Sequence, residues 1–289
     1  MNGMTVFVIL NYLTVSETIE TIREIESMGT VSIKIIVVDN ASPNGAGKKL
    51  QNSLKSDPKV RVVQNSENVG FARGNNLGYK LAKEYDPDFV IMQNNDIQYI
   101  QSNFLELVKT EYSESGFDIL GPDILVPETG IHQNPKRRSS YSSSDIHRIL
   151  QMSERKLKNK KRLAIRAFFK QFVVIRKIVL KLKARKQRSL WKERLKGPIL
   201  HGSCLIFSKN FLNRIPEPFD PRTFFYFETE ILDLRLANTG MLVIYNPNLH
   251  VLHHQNTSTK MASKDELQKT IFQLENMIKS GRVAESYFK

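Results

Sequence analysis

The chain has 289 residues, of which 40% are hydrophobic, so it can bury a substantial core as one large domain or two small ones. Its single cysteine, Cys204, excludes an internal disulfide and fits a reducing compartment. The formal net charge is +14, so the positive charge needs an explanation of its own.

The positive charge is concentrated in one segment. Residues 135–198 contain 22 Lys and Arg against 3 Asp and Glu, whereas the rest of the chain contains 21 against 26. The sequence therefore describes a mildly acidic body with one intensely basic segment. The apolar run 6–10 is too short for a signal-peptide core, and no uncharged stretch approaches the roughly 20 residues of a membrane span. We therefore expect a cytoplasmic protein.

The first 134 residues alternate between apolar runs typical of buried strands and amphipathic runs typical of helices. The predicted strands are residues 4–11, 31–38, 60–64, 89–93 and 119–126. The predicted helices are residues 11–28, about 46–55, 74–84 and 100–112. This alternation predicts an α/β fold whose mostly parallel sheet is flanked by helices.

The basic segment interrupts this pattern. We expect a loop over residues 135–147 and basic helical structure over residues 148–196, ended by Gly197-Pro198. From Arg162 to Lys181 the cations lie near one helical face, and this pattern favours a helix in an anionic membrane interface. An arm packed on the domain and a nucleic-acid patch are the alternatives. The many branched and aromatic side chains argue against nucleic acid.

Regular structure is expected to resume after the basic segment. The predicted elements are strands 200–208 and 241–245 and helices 210–215, 228–239 and 267–278. We therefore divide the chain into residues 1–134, the basic insert 135–197, residues 198–260 of the same domain, and a C-terminal helix 261–289.

Polar side chains follow the predicted parallel strands. Asp39 ends the second strand, and Asn94-Asn95-Asp96 end the fourth. Ligands of open α/β sheets bind beyond the carboxyl ends of the strands, where a carboxylate can hold Mg²⁺ or Mn²⁺ against a diphosphate. Asp39 could instead form a turn with Ser42, and an acid at a strand end is most often part of a turn.

Other candidate residues are weaker signals individually. The segment 68–76 contains two glycines and Arg73, which could meet a phosphate, but it could equally be a loop whose Asn75 or Asn76 caps the next helix. The turn after the first strand, residues 11–14, has no glycine. Its composition argues against a dinucleotide-binding protein and against a sugar nucleotidyltransferase.

Two acids follow four aromatic residues at the start of a predicted helix. Glu228 or Glu230 could be a general base whose pKa is raised by an apolar wall, although acids are also favoured there by the helix dipole. His253 could join Asp96 on a metal, although a histidine pair such as His253-His254 is more often structural.

In combination, these stretches resemble family 2 glycosyltransferases of the GT-A fold, in particular bacterial rhamnosyltransferase-like enzymes of surface polysaccharide synthesis. The matching residues are 6–12, 37–42, 68–76, 94–96, 227–232 and His253. The resemblance implies that the nucleotide sugar is bound by Asn11, Asp39, Asn40, Gly70, Arg73, Asn76, Asn94 and Asn95. It implies a metal, Mg²⁺ or Mn²⁺, on Asp96 and His253, an acceptor side at His201, Gly202 and Ser203, and a catalytic base at Glu228 or Glu230.

The implied reaction is a single displacement with inversion, from a nucleoside-diphosphate sugar to a glycan or lipid-linked glycan acceptor. The protein would act in the cytoplasm, bound peripherally to the inner face of the plasma membrane through residues of about 155–196. Two residues depart from the family pattern: Asn94 replaces the first acid of the D-x-D motif, and Thr229 replaces the acid that usually follows Glu228. The alternative is a non-catalytic membrane- or polymer-binding module with a decayed site.

Overall fold

The computed structural model describes residues 3–29, 32–159, 161–165, 189–254 and 266–288. In this part of the chain ten strands form one sheet with helices on both faces. The strands are β1 (Met4–Asn11), β2 (Ser32–Asp39), β3 (Val60–Gln64), β4 (Phe89–Asn94), β5 (Ile97–Tyr99), β6 (Ile119–Val126), β7 (Ile131–His132), β8 (Leu195–Lys196), β9 (Cys204–Ser208) and β10 (Val243–His253). The helices are α1 (Ser16–Ser27), α2 (Ala46–Ser53), α3 (Gly70–Lys83), α4 (Phe104–Ser115), α5 (Ser143–Lys158), α6 (Lys209–Arg214), α7 (Glu228–Leu236) and α8 (Glu266–Glu285).

The strand order is β3-β2-β1-β4-β9-β6-β10-β5, with β7 beside β6 and β8 beside β10. Strands β1 to β4 are parallel, and so are β6 and β10. Strand β9 lies antiparallel between β4 and β6, and β5, β7 and β8 also pair antiparallel. The predicted α/β architecture with a largely parallel sheet is therefore confirmed.

The alternation of side chains along each strand builds two hydrophobic cores. Phe7 and Ile9 of β1 point into a core covered by α1, α2 and α4. Val6 and Val8 point to the opposite face, where α3, α6 and α7 cover them. Full burial of one such side chain stabilises the fold by about 1.5–3 kcal/mol, so both faces fix the register of β1.

Several element boundaries differ from the sequence prediction. Helix α3 begins at Gly70 rather than Gly74, so part of the segment that looked like a loop forms the first turn of a helix. Strand β10 extends from Val243 through His253, with a register shift between Asn246 and His250. Helix α7 ends at Leu236, three residues before the predicted end.

Helix α5 begins inside the predicted loop. Ser142 and Asp145 form a reciprocal capping box that defines its first turn. Ile146 and Leu150 then pack with Phe227 of the turn before α7 and with Ala284 of α8, in a third hydrophobic cluster. The first helix of the insert is thus joined to the body of the protein.

The remainder of the predicted basic helical region is only partly described. Residues 161–165 are helical, residues 189–192 form a 3₁₀ turn, and β8 follows. Residues 166–188, which include most of the Arg162–Lys181 stretch, lie outside the described residues. Within the described ranges, no helix has both the length and the apolar character needed to cross a bilayer.

Candidate active site

The carboxyl ends of β1, β2 and β4 lie side by side at one edge of the sheet. In the strand register Asn11 is opposite Asp39, and Leu10 is opposite Asn94. Asn94 ends β4, and Asp96 follows it after one residue. The structure therefore brings together the strand-end residues that were predicted to contact a nucleotide sugar and a metal.

Five buried polar side chains form a connected network at this edge. Asn11 Nδ2 donates to Asp39 Oδ1 at 2.6 Å, and Asn11 Oδ1 accepts from Thr14 Oγ1 and Thr18 Oγ1, each at 2.9 Å. Asn95 Nδ2 donates to Asn11 Oδ1 at 3.1 Å and to both threonine hydroxyls. We call Asn11, Thr14, Thr18, Asp39 and Asn95 the strand-end network; all are at most 3% exposed. It fastens α1 to the strand ends through hydrogen bonds made within the protein.

Asp39 also forms the turn that its sequence context predicts. Its Oδ1 accepts from Ser42 Oγ at 2.6 Å, and its Oδ2 accepts from the Ser42 amide at 2.9 Å. Gly47 lies so close that an added Cβ would be 2.6 Å from Asp39 Oδ2. The turn is therefore present, and a nucleotide contact by Asp39 stays a prediction.

Asn40 organises the loop that leads into α3. Its Oδ1 accepts from Asn65 Nδ2 at 3.0 Å and from the Val69 amide at 3.1 Å. Its Nδ2 donates to Asn68 Oδ1 at 2.9 Å and to the Gly70 carbonyl at 3.1 Å. All the hydrogen-bonding capacity of this buried amide is thus used to shape the loop.

Gly70 joins the loop to the turn that precedes Glu228. Its φ is +81°, and an added Cβ would collide with the carbonyl oxygen of Phe224. The adjacent amide of Phe71 donates to the same oxygen at 2.7 Å. Only glycine permits both the backbone conformation and this close approach, so Gly70 sets the distance between the two segments.

Arg73 and Asn76 both connect α3 to the segment before Glu228. Arg73 Nε donates to the Pro221 carbonyl at 2.8 Å from an exposed position. Asn76 is buried, and its amide both donates to the Phe219 carbonyl at 2.8 Å and accepts from the Phe219 amide at 3.1 Å. The structure therefore shows a bridging role for Asn76, and its predicted nucleotide contact stays a prediction.

Asp96 and His253 face each other beside the end of β4. Gln133 Oε1 lies 2.6 Å from His253 Nδ1 and can only accept, so in the neutral ring the proton lies on Nδ1. Nε2 then carries a lone pair, and this atom is 3.1 Å from Asp96 Oδ1 and 3.3 Å from Asn94 Nδ2. Asp96 Oδ1 is buried without a hydrogen-bond partner, and with the neutral ring its contact with Nε2 brings two lone pairs together.

This arrangement fits a divalent cation. With the neutral ring, a carboxylate oxygen and an imidazole nitrogen converge without a proton between them, and both are ordinary metal ligands. Among the described residues, no three His, Cys, Asp or Glu side chains are grouped in a way that could hold a metal ion by themselves. A cation on Asp96 and His253 would therefore need further oxygen ligands, such as those of a diphosphate.

Glu228 is the first residue of α7 and follows two strained residues. Tyr226 and Phe227 have φ values of +73° and +66°, which non-glycine residues rarely adopt. Glu228 is 8% exposed, and its Oε1 is buried without a hydrogen-bond partner in the described residues. Burial, together with the charge of Glu230, raises the pKa of Glu228 to about 7, although nearby amides and Lys136 act in the opposite direction.

Glu230 lies in a different environment from Glu228. Its Oε1 accepts from Lys136 Nζ in an ion pair, and its Oε2 accepts from Thr229 Oγ1 at 3.1 Å. A carboxylate that is ion-paired with an ammonium is a poorer proton acceptor than one that has no cation bound to it. The geometry therefore favours Glu228 over Glu230 as the base, a choice that the sequence leaves open.

His201, Gly202 and Ser203 lie near His253 on one side and near Thr229 of α7 on the other. The Ser203 amide donates to His201 Nδ1 at 3.2 Å, so the proton of the neutral ring is on Nε2. Burial and the nearby charges of Lys136 and His253 lower the pKa of His201 well below its ordinary range. The rings of His201 and His253 have centroids 6.2 Å apart. Gly202 lies beside the Phe71 ring and Thr229.

The residues that sequence reasoning missed lie in one short segment, residues 133–136, where the first half of the domain meets the insert. Gln133 orients His253, the side chain of Asn134 accepts from the His201 amide at 3.0 Å, and Lys136 pairs with Glu230. These contacts join residues more than 60 positions apart. No local sequence pattern marks Gln133 or Lys136, and Lys136 belongs to a run of three cations in the predicted loop 135–147.

Comparison with known proteins places the chain among sugar-transferring enzymes. The sequence profile of the family described as Glycosyl transferase family 2 matches residues 7–182, more than half of the chain. A curated relative, the N-acetylglucosaminyl-diphospho-decaprenol L-rhamnosyltransferase of Mycobacterium tuberculosis, is 26% identical over 235 residues. The match covers 78% of this chain and 68% of the relative.

Two solved structures share the fold at low sequence identity. The mannosyltransferase PcManGT from Pyrobaculum calidifontis, in complex with GDP-Man and Mn²⁺, aligns with a TM-score of 0.55 at 13% identity, over 98% of this chain and 73% of its own. GalNAc-T7 with UDP, GalNAc and Mn²⁺ aligns with a TM-score of 0.58 at 16% identity, over 86% of this chain and 43% of its own. The GT-A-type architecture is thereby confirmed.

Fold and sequence profile together define a glycosyltransferase. More specifically, the chain belongs to glycosyl transferase family 2, as the resemblance in its motifs predicts.

Proposed function

We propose that the protein transfers a sugar, with inversion, from a nucleoside-diphosphate sugar to a hydroxyl group of a glycan acceptor. The observation that carries this proposal is the buried carboxylate of Glu228, whose Oε1 has no hydrogen-bond partner in the described residues and whose pKa is raised to about 7. A carboxylate with a pKa near the working pH is suited to accept a proton in the transition state and to release it afterwards.

The proposed reaction is one displacement. The acceptor oxygen attacks the anomeric carbon of the donor while Glu228 takes its proton. The bond from that carbon to the diphosphate oxygen breaks, and the nucleoside diphosphate leaves with the electron pair. One displacement inverts the configuration at the anomeric carbon. The two strained residues before Glu228 fix the path of the backbone into α7, at whose first position Glu228 lies.

The proposed cofactor is Mg²⁺ or Mn²⁺, held by Asp96 and His253. The facing lone pairs of these residues support it, and both structural neighbours were solved with Mn²⁺. Such an ion, when bound, would offset the charge that develops on the leaving diphosphate. Asn94 occupies the position of the usual first acid, and its Nδ2 lies 3.3 Å from His253 Nε2, a contact that it would give up when the ion takes the lone pair of Nε2.

For the donor, we infer different roles for the residues that the family resemblance identifies. Asn11, Asn40, Asn76 and Asn95 use their amides inside the protein and would shape the pocket. Arg73 spends only its Nε on a carbonyl in the described contacts, which leaves its terminal nitrogens for a phosphate.

For the acceptor, we propose a lipid-linked glycan. A series of ring contacts 5.5–6.3 Å long runs from buried Phe219 through Phe71, Phe225 and Phe224 to Phe272 on α8. Phe225 is 38% exposed and Phe272 is 47% exposed, and exposed apolar surface beside a site supports an apolar part in the substrate. The Mycobacterium tuberculosis relative is named for a decaprenol-linked acceptor.

We further propose that the basic insert contacts an anionic membrane surface on the cytoplasmic side. At the end of α5, Arg155, Lys156 and Arg162 line a cavity of about 120 Å³ together with Asn159 and Leu163. Converging cations of this kind suit a phosphate headgroup. Flotation with anionic vesicles would compare the wild type with a triple Arg155→Ala, Lys156→Ala, Arg162→Ala variant, and equal flotation would contradict this proposal.

The experiment for the reaction measures nucleoside diphosphate release from UDP-, GDP- and dTDP-sugars, with Mg²⁺ or Mn²⁺ and a polyprenyl-diphosphate-linked sugar as acceptor. We expect release with one donor, an inverted product by NMR, and loss of release in Asp96→Asn. Asp86→Asn, which changes an exposed acid, is the matched control. If the folded wild type releases no nucleoside diphosphate from any donor of the panel, the proposal is overturned and the non-catalytic binding module is favoured.

A further inference from the structure

Lys136 connects the start of the basic insert with the catalytic turn. Its ammonium group donates to Glu230 Oε1, and it lies 3.3 Å from Thr229 Oγ1. Its backbone is fixed as well, because its amide donates to the Ile199 carbonyl at 2.8 Å. The ion pair is largely shielded: 9% of the Glu230 side chain and 30% of the Lys136 side chain are exposed.

The ion pair belongs to a small set of charged and titratable groups that interact with Glu228 directly or with its neighbours Glu230 and Lys136. These groups are Glu230 and Asp233 on α7, Tyr226 in the preceding turn, Lys136 at the start of the insert, and His201 before β9. Lys136 is the cation of this set, because burial keeps His201 neutral. Removal of Lys136 would leave two neighbouring buried carboxylates at positions 228 and 230 to share the local charge.

We propose that Lys136 is a positioning residue that acts through Glu230: it holds Glu230 as a paired anion and so leaves Glu228 as the group that exchanges the proton. This inference rests on the proposed role of Glu228 as the base. It assigns to the insert a function in the reaction that is separate from any contact with a membrane. In the described contacts Lys136 binds the carboxylate of Glu230. We therefore expect it to act through Glu230 on the proton equilibrium of Glu228.

The direction of each substitution effect follows from the charges. Without Lys136, an unpaired Glu230 would make ionisation of Glu228 harder, and the two acids would titrate as a coupled pair. Without Glu230, the ammonium of Lys136 would face Glu228 alone and make its ionisation easier. When both charges are removed, the two effects largely cancel. Arginine at position 136 keeps the charge and is expected to restore most of the wild-type behaviour.

The experiment records the pH dependence of kcat/KM for Lys136→Met, Lys136→Arg, Glu230→Gln and the Lys136→Met/Glu230→Gln double variant. In Lys136→Met we expect the acidic limb of the profile to move up by about one pH unit, which lowers kcat/KM roughly tenfold below that limb. In Glu230→Gln we expect the acidic limb to move down. The acidic limbs of the double variant and of Lys136→Arg should lie close to that of the wild type. Lys209→Met, which removes a lysine from the exposed pair with Asp86, is the matched control and should change nothing.

A second measurement needs no activity. The ¹³C-carboxyl signal of Glu228, assigned by its loss in Glu228→Gln, is titrated in each folded variant without substrate. Shifts of that titration in the predicted directions support the inference even if no sugar transfer is found, in which case the proposed function alone fails. An active Lys136→Met protein whose rate profile and Glu228 titration both match the wild type would overturn the inference and leave the proposed function intact.

Discussion

The strand-end network and the Asp96–Glu228 region lie in the same site but use their polar atoms in opposite ways. In the network, Asn11 and Asp39 meet protein partners at 2.6 Å, and Asn95 is surrounded by three acceptors. In the second region, Asp96 Oδ1 and Glu228 Oε1 are buried without a hydrogen-bond partner in the described residues.

The difference separates structural support from chemistry. A satisfied buried network stabilises one arrangement of the strand ends, whereas an unsatisfied buried carboxylate destabilises the fold. Such groups are retained at functional sites, where a ligand, a metal or a transferred proton satisfies them. Substitutions in the strand-end network should therefore mainly affect stability, and substitutions of Asp96 and Glu228 should mainly affect activity.

The largest expected effect is on the chemical step. Glu228→Gln removes the proposed base while keeping the shape of the side chain, so kcat should fall by about 10²–10⁴-fold. The KM for the donor should change little, because Glu228 is proposed to act on the acceptor. Steady-state kinetics with Glu106→Gln as the exposed control would check this, and a fall of less than tenfold would assign the base elsewhere.

The next effect is on stability. Asn11→Ala leaves the Thr14 and Thr18 hydroxyls without their shared acceptor, whereas Asp39 Oδ1 keeps its bond from Ser42 Oγ, and each unsatisfied buried group costs about 1–3 kcal/mol. We expect the free energy of unfolding in urea to fall by about 3 kcal/mol or more. Asn213→Ala on the exposed side of α6 should be neutral. An Asn11→Ala protein of wild-type stability that no longer binds nucleotide would reverse the roles assigned to the two regions.

A smaller effect is expected from the residue that orients His253. Gln133→Leu removes the acceptor that holds the ring proton on Nδ1, so the lone pair of Nε2 is no longer fixed toward Asp96. Loss of such an outer contact typically weakens metal binding by about 10–100-fold. Mn²⁺ binding with a nucleoside diphosphate, followed by EPR, would measure it. Gln151→Leu, from an exposed Gln–His pair on α5, should match the wild type.

The smallest expected effect concerns Arg73. Arg73→Ala should weaken binding of the nucleoside diphosphate by up to about tenfold, because it removes one partly solvated phosphate contact. Stability should change by less than about 0.5 kcal/mol for this exposed side chain. Arg214→Ala, which also loses a bond to a backbone carbonyl, is the control in calorimetric titrations. Equal affinity in both variants would remove Arg73 from the donor site.

The sequence predicts the sheet better than it predicts the site. Buried β-branched runs such as residues 6–9 can be recognised locally because both faces of the strand are apolar. The start of α3 was misplaced because Gly70 resembles a loop residue, and its contact with Phe224 is made by residues 154 positions apart. Helix α5 begins at the capping box of Ser142 and Asp145, inside the predicted loop, because the sequence prediction did not include this capping box.

The site residues show the same limit. The motifs identify Asp96, Glu228 and His253 as candidates, but they do not indicate which polar atoms stay free after folding. The choice between Glu228 and Glu230 depends on Lys136, and the tautomer of His253 depends on Gln133. Both contacts are tertiary, so only the folded structure can supply them.

The most direct test compares the stability of the wild type and Glu228→Gln between pH 5 and 8. Burial raises the pKa of Glu228 from its ordinary 4.5 to about 7, so between these values the folded protein holds a proton that the unfolded chain releases. The stability contributed by this group is present below pH 4.5 and is lost as the pH rises to 7, by about 3 kcal/mol in total.

Glu228→Gln lacks this titration. We therefore expect it to lie within about 1 kcal/mol of the wild type near pH 5 and to be more stable by up to about 3 kcal/mol at pH 8, while it has lost the transferase activity. A variant that is equally or less stable than the wild type at pH 8, or that keeps its activity, would contradict the central claim that Glu228 is a buried carboxylate kept open for catalysis.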